Sequence, residues 1–257
     1  MNRLAPILFC SLIALISCGG ANKKQTPVTE KAAPPPSYFK PDPATVGVLT
    51  GTISFTGKKP AQKPIDMSDD PACVEAHRGK SYDGAFVVNP NHTLSNVFVY
   101  IKSGLEGKKF EVPATPATID QHGCWFNPRV IGLQTEQILR VVNSDPVTHN
   151  IHPLAQINRE WNHSQGPGDP PLVRKFIRPE VVIPVKCNIH RWMHAFIAVV
   201  DHPYFAVSGP SGNFEIRNVP PGDYVVEAWH ESLGSQERNV SIPRAGTANI
   251  DFSFKAK

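Results

Sequence analysis

Within one short loop the chain sets Cys187, His190 and Met193 at C-x-x-H-x-x-M spacing, bringing a thiolate, an imidazole and a thioether together. Soft sulfur and borderline nitrogen ligands favour copper over the hard cations. Two histidines and a cysteine in a plane, with a weak methionine on the axis, form a mononuclear copper site suited to single-electron transfer. The loop lacks one imidazole of that set. His149, followed by Asn150, is the upstream candidate.

The spacing has physical reasons. Cys187 must be a thiolate to bind, and the metal itself enforces the deprotonation. Two intervening residues let His190 turn back over the same ion, and two more let Met193 reach the axial position. A compact loop holds one geometry in both oxidation states, so little rearrangement accompanies electron transfer. Taken singly these residues read as structure, because a cysteine on an apolar strand is a buried small hydrophobe and Met193 beside Trp192 is core packing. Their joint occurrence with a His-Asn dipeptide carries the metal reading. His152 lies three residues beyond His149 and on a strand points to the opposite face. His194, next to Met193, is an alternative axial ligand. A binuclear copper site needs a second loop cysteine, a trinuclear cluster needs H-x-H pairs and haem attachment needs C-x-x-C-H; the sequence has none of these.

These ligands need strands to position them. The 26 prolines and 18 glycines are spread along the 257 residues, short alternating runs are frequent and long helical stripes are absent, so the expected class is all-β. The formal charge of +4 comes from scattered Lys and Arg, so no nucleic-acid partner is expected. Asn2 and Arg3, an apolar run from Leu4 to Ile16 and a small residue before Cys18 form an export signal too short to span a bilayer as a mature helix. Leu15-Ile16-Ser17-Cys18 resembles a bacterial lipobox, which implies cleavage before Cys18 and lipidation of it. The alternative is an ordinary secretory signal cut a few residues later. The expected location is the bacterial cell envelope, lipid-anchored, on the periplasmic or outer-membrane surface. Cys10 leaves with the signal, Cys18 takes lipid and Cys187 takes metal; Cys73 and Cys124 remain, as a disulfide in an oxidising compartment or as two buried thiols.

Residues 18–45, rich in Lys, Thr, Pro and Ala, read as a tether. Alternation from Val48 predicts a strand through Phe55. Residues 61–85, which carry Cys73, read as a long loop, and 85–88 and 97–101 as strands separated by the turn Asn89-Pro90-Asn91. Further strands are expected near 117–120, 125–133 and 137–143, then at 180–185 and 195–200, with an irregular loop at 154–172 whose Trp161 and His163 are binding or simply exposed residues.

The C-terminal run Gly212, Phe214, Ile216, Val219, Pro220, Gly222, Tyr224 resembles the transthyretin-like or carboxypeptidase-regulatory-like β-sandwich. In that family the run is preceded by strands of the kinds found here at Gly51–Phe55 and Asn96–Ile101. The resemblance implies one sandwich from 46–104 plus 203–257, with 105–202 inserted at a loop tip; three units in line is the competing arrangement. From Thr118 to Val200 the chain resembles cupredoxins of the plastocyanin, amicyanin and pseudoazurin group, in the order of F-x-P, a strand ending in Asn, His149-Asn150, then Cys187, His190 and Met193 on one loop. That resemblance implies a Greek-key sandwich with one type I copper held by His149, Cys187, His190 and Met193. It also implies coordination through His149 Nδ1, and Asn150 hydrogen-bonding back to the cysteine loop. Arg191 stands where short-loop members often carry proline, which bears on loop rigidity and potential.

The function expected is non-enzymatic electron transfer. His190 is the exit edge, ringed by Ile189 and Trp192, toward a transient redox protein such as a cytochrome or a membrane oxidoreductase. The alternative is a surface binding or copper-capture module with a structural, non-redox metal site.

Overall fold

The computed structural model describes residues 37–77 and 79–256. The signal, Cys18 and the first part of the tether lie outside them. Among the described residues no helix is long and apolar enough to cross a membrane.

The chain is all-β. Before the stretch that carries the candidate ligands come β1 (Gly47–Thr56), β2 (Pro64–Ile65), the one helix among the described residues α1 (Pro71–Ala76), β3 (Ser81–Tyr82) and β4 (Phe98–Ser103). Then follow β5 (Ala117–His122), β6 (Trp125–Asn127), β7 (Val130–Gln134), β8 (Leu139–Asn143), β9 (His149–Pro153), β10 (His163–Gln165), β11 (Leu172–Arg174), β12 (Glu180–Lys186) and β13 (His194–Val200). The chain closes with β14 (Phe205–Val207), β15 (Asn213–Val219), β16 (Gly222–His230), β17 (Gly234–Ile242), β18 (Thr247–Asn249) and β19 (Phe252–Lys255).

Strands distant in sequence pair. β1 is antiparallel to β15 and parallel to β18 and β19, while β4 lies between β14 and β16. Leu49, Ile53 and Phe55 of β1 and Val99 and Ile101 of β4 share a buried core with Phe214, Ile216, Val226 and Phe252. Gly51, in line with those inward side chains, has no room for more than hydrogen, since a Cβ there would sit 1.9 Å from the Ile250 carbonyl. The intervening residues make their own two sheets, ordered β10-β9-β12-β13-β7 and β11-β8-β5-β6, around Ile119, Leu133, Val141, Ile151, Ile183, Val185 and Ile197.

The two cores meet through β13 and β7. Ala195, Ile197 and Val199 face the metal-side core, while Ala198 and Val200 join Phe98, Tyr100 and Val130 in a third cluster. Burial on both faces explains why this strand reads as a continuous apolar run rather than an alternation. Gly132 of β7 permits the approach, because a Cβ there would come within 2.5–2.7 Å of the Phe205 and Phe98 rings.

Four expectations change. The tether ends early, since Phe39 donates its N–H to the Lys109 carbonyl at 2.6 Å and packs edge-on against Phe110. Residues 85–88 make only a single bridge, Val88 to Leu94, because His92 and Leu94 take the main-chain partners that β1 offers. Segment 61–85 holds α1, and its Met67 and Cys73 pack into the metal-side core rather than the flanking one. Leu105 and Phe110, expected with the inserted part, pack in the flanking core.

His230 ends β16 fully buried against Phe86 and Phe254, and burial, with a smaller contribution from Arg129, pushes its pKa down to about 4. The unfolded chain binds the proton near pH 6.5, so this contribution to stability is complete above that pH and is lost as pH falls toward about 4. Buried His202 shifts in the same direction. Urea unfolding is expected to show a loss of up to about 3 kcal/mol from His230 between about pH 7 and pH 4, reduced in His230→Gln. An unchanged pH profile in that variant would refute the assignment.

Candidate metal centre

β9 runs antiparallel to β12, with Val185 opposite Pro153 and Lys186 opposite His152. The start of β9 therefore lies beside the end of β12, and His149 and Asn150 face Cys187 and Asn188. The loop after β12 closes on itself, with the Cys187 N–H donating to the Met193 carbonyl at 3.2 Å and the Met193 N–H to the His190 carbonyl at 3.0 Å. Asn150 ties strand to loop. Its Oδ1 accepts from the Asn188 N–H at 2.9 Å, and its own N–H donates to Cys187 Sγ at 3.4 Å. A second donor, the His190 N–H, meets the same sulfur at 3.3 Å. Two N–H groups are thus aimed at one buried sulfur.

His149, Cys187 and His190 offer ligand atoms all within 4.8 Å of one another, and all three residues are buried. His149 Nδ1 and His190 Nδ1 are 2.9 Å apart, and Cys187 Sγ lies 4.0 Å from the latter. Met193 is fully buried in the same core cluster as Cys187. Each imidazole turns its other nitrogen to a carboxylate: His149 Nε2 to Asp145 Oδ2 at 2.8 Å and His190 Nε2 to Asp70 Oδ2 at 3.0 Å.

This pattern tests whether a cation fits. An ionised carboxylate only accepts, so a neutral imidazole set against one at Nε2 offers its Nδ1 as the free acceptor. The two Nδ1 atoms lie 2.9 Å apart, close enough to share one cation. A proton is disfavoured at His149, where burial holds the imidazole below its ordinary range despite the hydrogen bond to Asp145. A soft metal ion bound by two imidazoles and a thiolate suits the donor set.

Asp70 and Asp145 did not stand out in the sequence as site residues. Asp70 is the N-cap of α1, its Oδ1 accepting from the Ala72 and Cys73 N–H groups, with Pro71 opening the helix. Burial works to raise its carboxyl, but the hydrogen bonds from His190, Cys73 and Ala72 outweigh this and hold it below the usual range. Asp145 accepts from the Gly123 N–H at 2.6 Å and the Cys124 N–H at 2.7 Å. The sequence signals were the Asp-Pro helix start before Cys73 and an aspartate four residues ahead of His149.

Cys73 and Cys124 form a disulfide, with Cα atoms 5.6 Å apart. It fastens α1 over the ligand loop. Trp192 lies against His190 with ring centres 5.1 Å apart, and its Nε1 donates to the Cys124 carbonyl. This cover changes the expected exit surface. His190 is 3% exposed and its outer nitrogen is taken by Asp70, so its edge does not reach solvent, whereas Ile189 is 51% exposed. His152 points away from the site to Asn188 and Glu160. His194 lines a separate cavity with Trp125 and Arg129. Arg174 stacks over the Trp161 ring, and His163 is exposed on β10.

No protein-family model and no curated protein matches the chain. Among solved structures it is similar to a copper-containing nitrite reductase from Thermus scotoductus SA-01 at 20% identity and TM-score 0.32, over 39% of this chain and 25% of that one. The chain thus spans about a quarter of that enzyme's length. It is also similar to a purple cupredoxin from Nitrosopumilus maritimus, at 19% identity and TM-score 0.28 over 32% of this chain and 98% of that one. Amicyanin from Paracoccus versutus matches at 15% identity and TM-score 0.30, over 39% and 96% of the two chains. What the site can hold follows from its own atoms.

The disulfide closes a loop of sequence separation 51, worth about 4 kcal/mol by the chain-entropy relation. A Cys73→Ser, Cys124→Ser variant is expected to unfold at lower urea by that order and to expose His190 to diethylpyrocarbonate, read by peptide mass spectrometry. Protection of His190 equal to that of the parent protein would show that the disulfide does not hold the cover.

Proposed function

We propose that this chain is an exported, lipid-anchored electron carrier with one mononuclear type I copper held by His149, Cys187, His190 and Met193. The observation that carries the reading is the buried meeting of two imidazole Nδ1 atoms and a thiol, with both Nε2 atoms already committed to carboxylates. Copper bound there supplies a one-electron couple. The chain's part is to hold the donors in place. Asn150 and the His190 N–H steady the sulfur, β9 and β12 set the spacing, and the surrounding core excludes water. A site that barely moves between oxidation states transfers electrons with little rearrangement.

The flanking transthyretin-like sandwich serves as the mount, and Cys18 with the segment behind it as the anchor. The partner is a cytochrome or membrane oxidoreductase, and no enzymatic step is assigned to the chain. The cover over His190 favours a second reading, copper capture without turnover. The two readings differ in electrochemistry.

With one equivalent of Cu(II), the soluble part is expected to develop an intense visible band that bleaches on reduction, returns on oxidation and is absent in Cys187→Ser. Bound copper that stays colourless and redox-silent would leave capture as the function.

A further inference from the structure

We infer that Asp70 and Asp145 are positioning residues of the metal centre, which fix both histidines in one tautomer and bias bound copper toward its oxidised state. The inference rests on the copper reading above. Each carboxylate meets one ligand imidazole on the nitrogen away from the cup, at 3.0 Å for Asp70 and 2.8 Å for Asp145. Each is held by backbone N–H groups, Asp70 by Ala72 and Cys73 and Asp145 by Gly123 and Cys124. Neither ring can rotate to offer its other nitrogen without losing its carboxylate partner, which for Asp145 is a buried one.

The two carboxylates are also mechanically one unit. Cys73 donates its N–H to Asp70, Cys124 donates its N–H to Asp145, and the two cysteines share the disulfide. A single cross-linked clamp thus grips the outer nitrogens of both imidazoles. The disulfide-bearing strap, outside the strands that supply the ligands, is part of the centre.

The electrostatic consequence has a definite sign. A negative charge one imidazole away attracts the more highly charged oxidised ion more strongly. It also raises the basicity of the imidazole that binds the ion. Both effects favour Cu(II). Asparagine at either position removes the charge and one of two acceptor oxygens, so its single Oδ1 serves either the ring N–H or the backbone N–H groups on the other oxygen, not both.

The test uses copper-loaded Asp70→Asn and Asp145→Asn proteins, poised with redox mediators and followed by the visible band. Urea unfolding of the metal-free forms runs in parallel. Each substitution is expected to move the Cu(I) to Cu(II) ratio at fixed poise about tenfold toward Cu(I), equivalent to 59 mV for one electron. Metal-free stability should fall in both variants, because each also leaves an N–H without its acceptor, and the potential is the readout that separates the charge from this loss. A blue parent protein whose variants keep its potential overturns the inference while leaving the proposed function intact. Variants that lose stability but keep the potential reduce the two aspartates to a structural role and also overturn it. If Asp70→Asn does not fold, Asp145→Asn decides alone. A parent protein with no visible band overturns the proposed function instead.

Discussion

Two imidazole Nδ1 atoms 2.9 Å apart, both rings buried, are the constraint from which the site is built. Asp70 and Asp145 hold the rings in that orientation by taking both Nε2 atoms, which leaves the two Nδ1 atoms directed at one point. Cys187, with two N–H donors on its sulfur, adds the third candidate donor beside them.

The architecture keeps those groups in place. β9 and β12 bring His149 alongside Cys187, and the loop from 187 to 193 closes by its own main-chain bonds. β13 leaves that loop and carries the metal-side core directly onto Phe98, Tyr100 and Val130, so the ligand loop is braced from behind by the flanking sheets. The strap with α1 then closes the front. Its helix spends one Asp70 oxygen on its own cap and the other on His190, which couples local helix formation to the state of the site.

The cover alters how electrons would reach and leave the centre. An exposed ligand edge is replaced by a ring held between Asp70 and Trp192, with Ile189 and the outer face of α1 at the surface. A partner docking there would meet the disulfide-bearing strap before the ligand.

Much of this was legible in the residues. Residue types and spacing are local chemistry, so C-x-x-H-x-x-M and His149-Asn150 could be read directly, as could the alternation of β1, while the structure decided for a disulfide between Cys73 and Cys124 over two buried thiols. What the sequence by itself determined was the all-β class and the types and spacing of the candidate donors His149, Cys187 and His190, because both depend on residue type and short-range period. Only tertiary structure decided that residues 61–85 fold over the site, that β1 pairs with strands near the far end of the chain, and that Asp70 lies on His190 120 positions away. These are contacts between segments far apart in sequence, which no local propensity specifies. They arise because buried cores, a cross-link and unsatisfied ring nitrogens select one arrangement among many that local propensity allows.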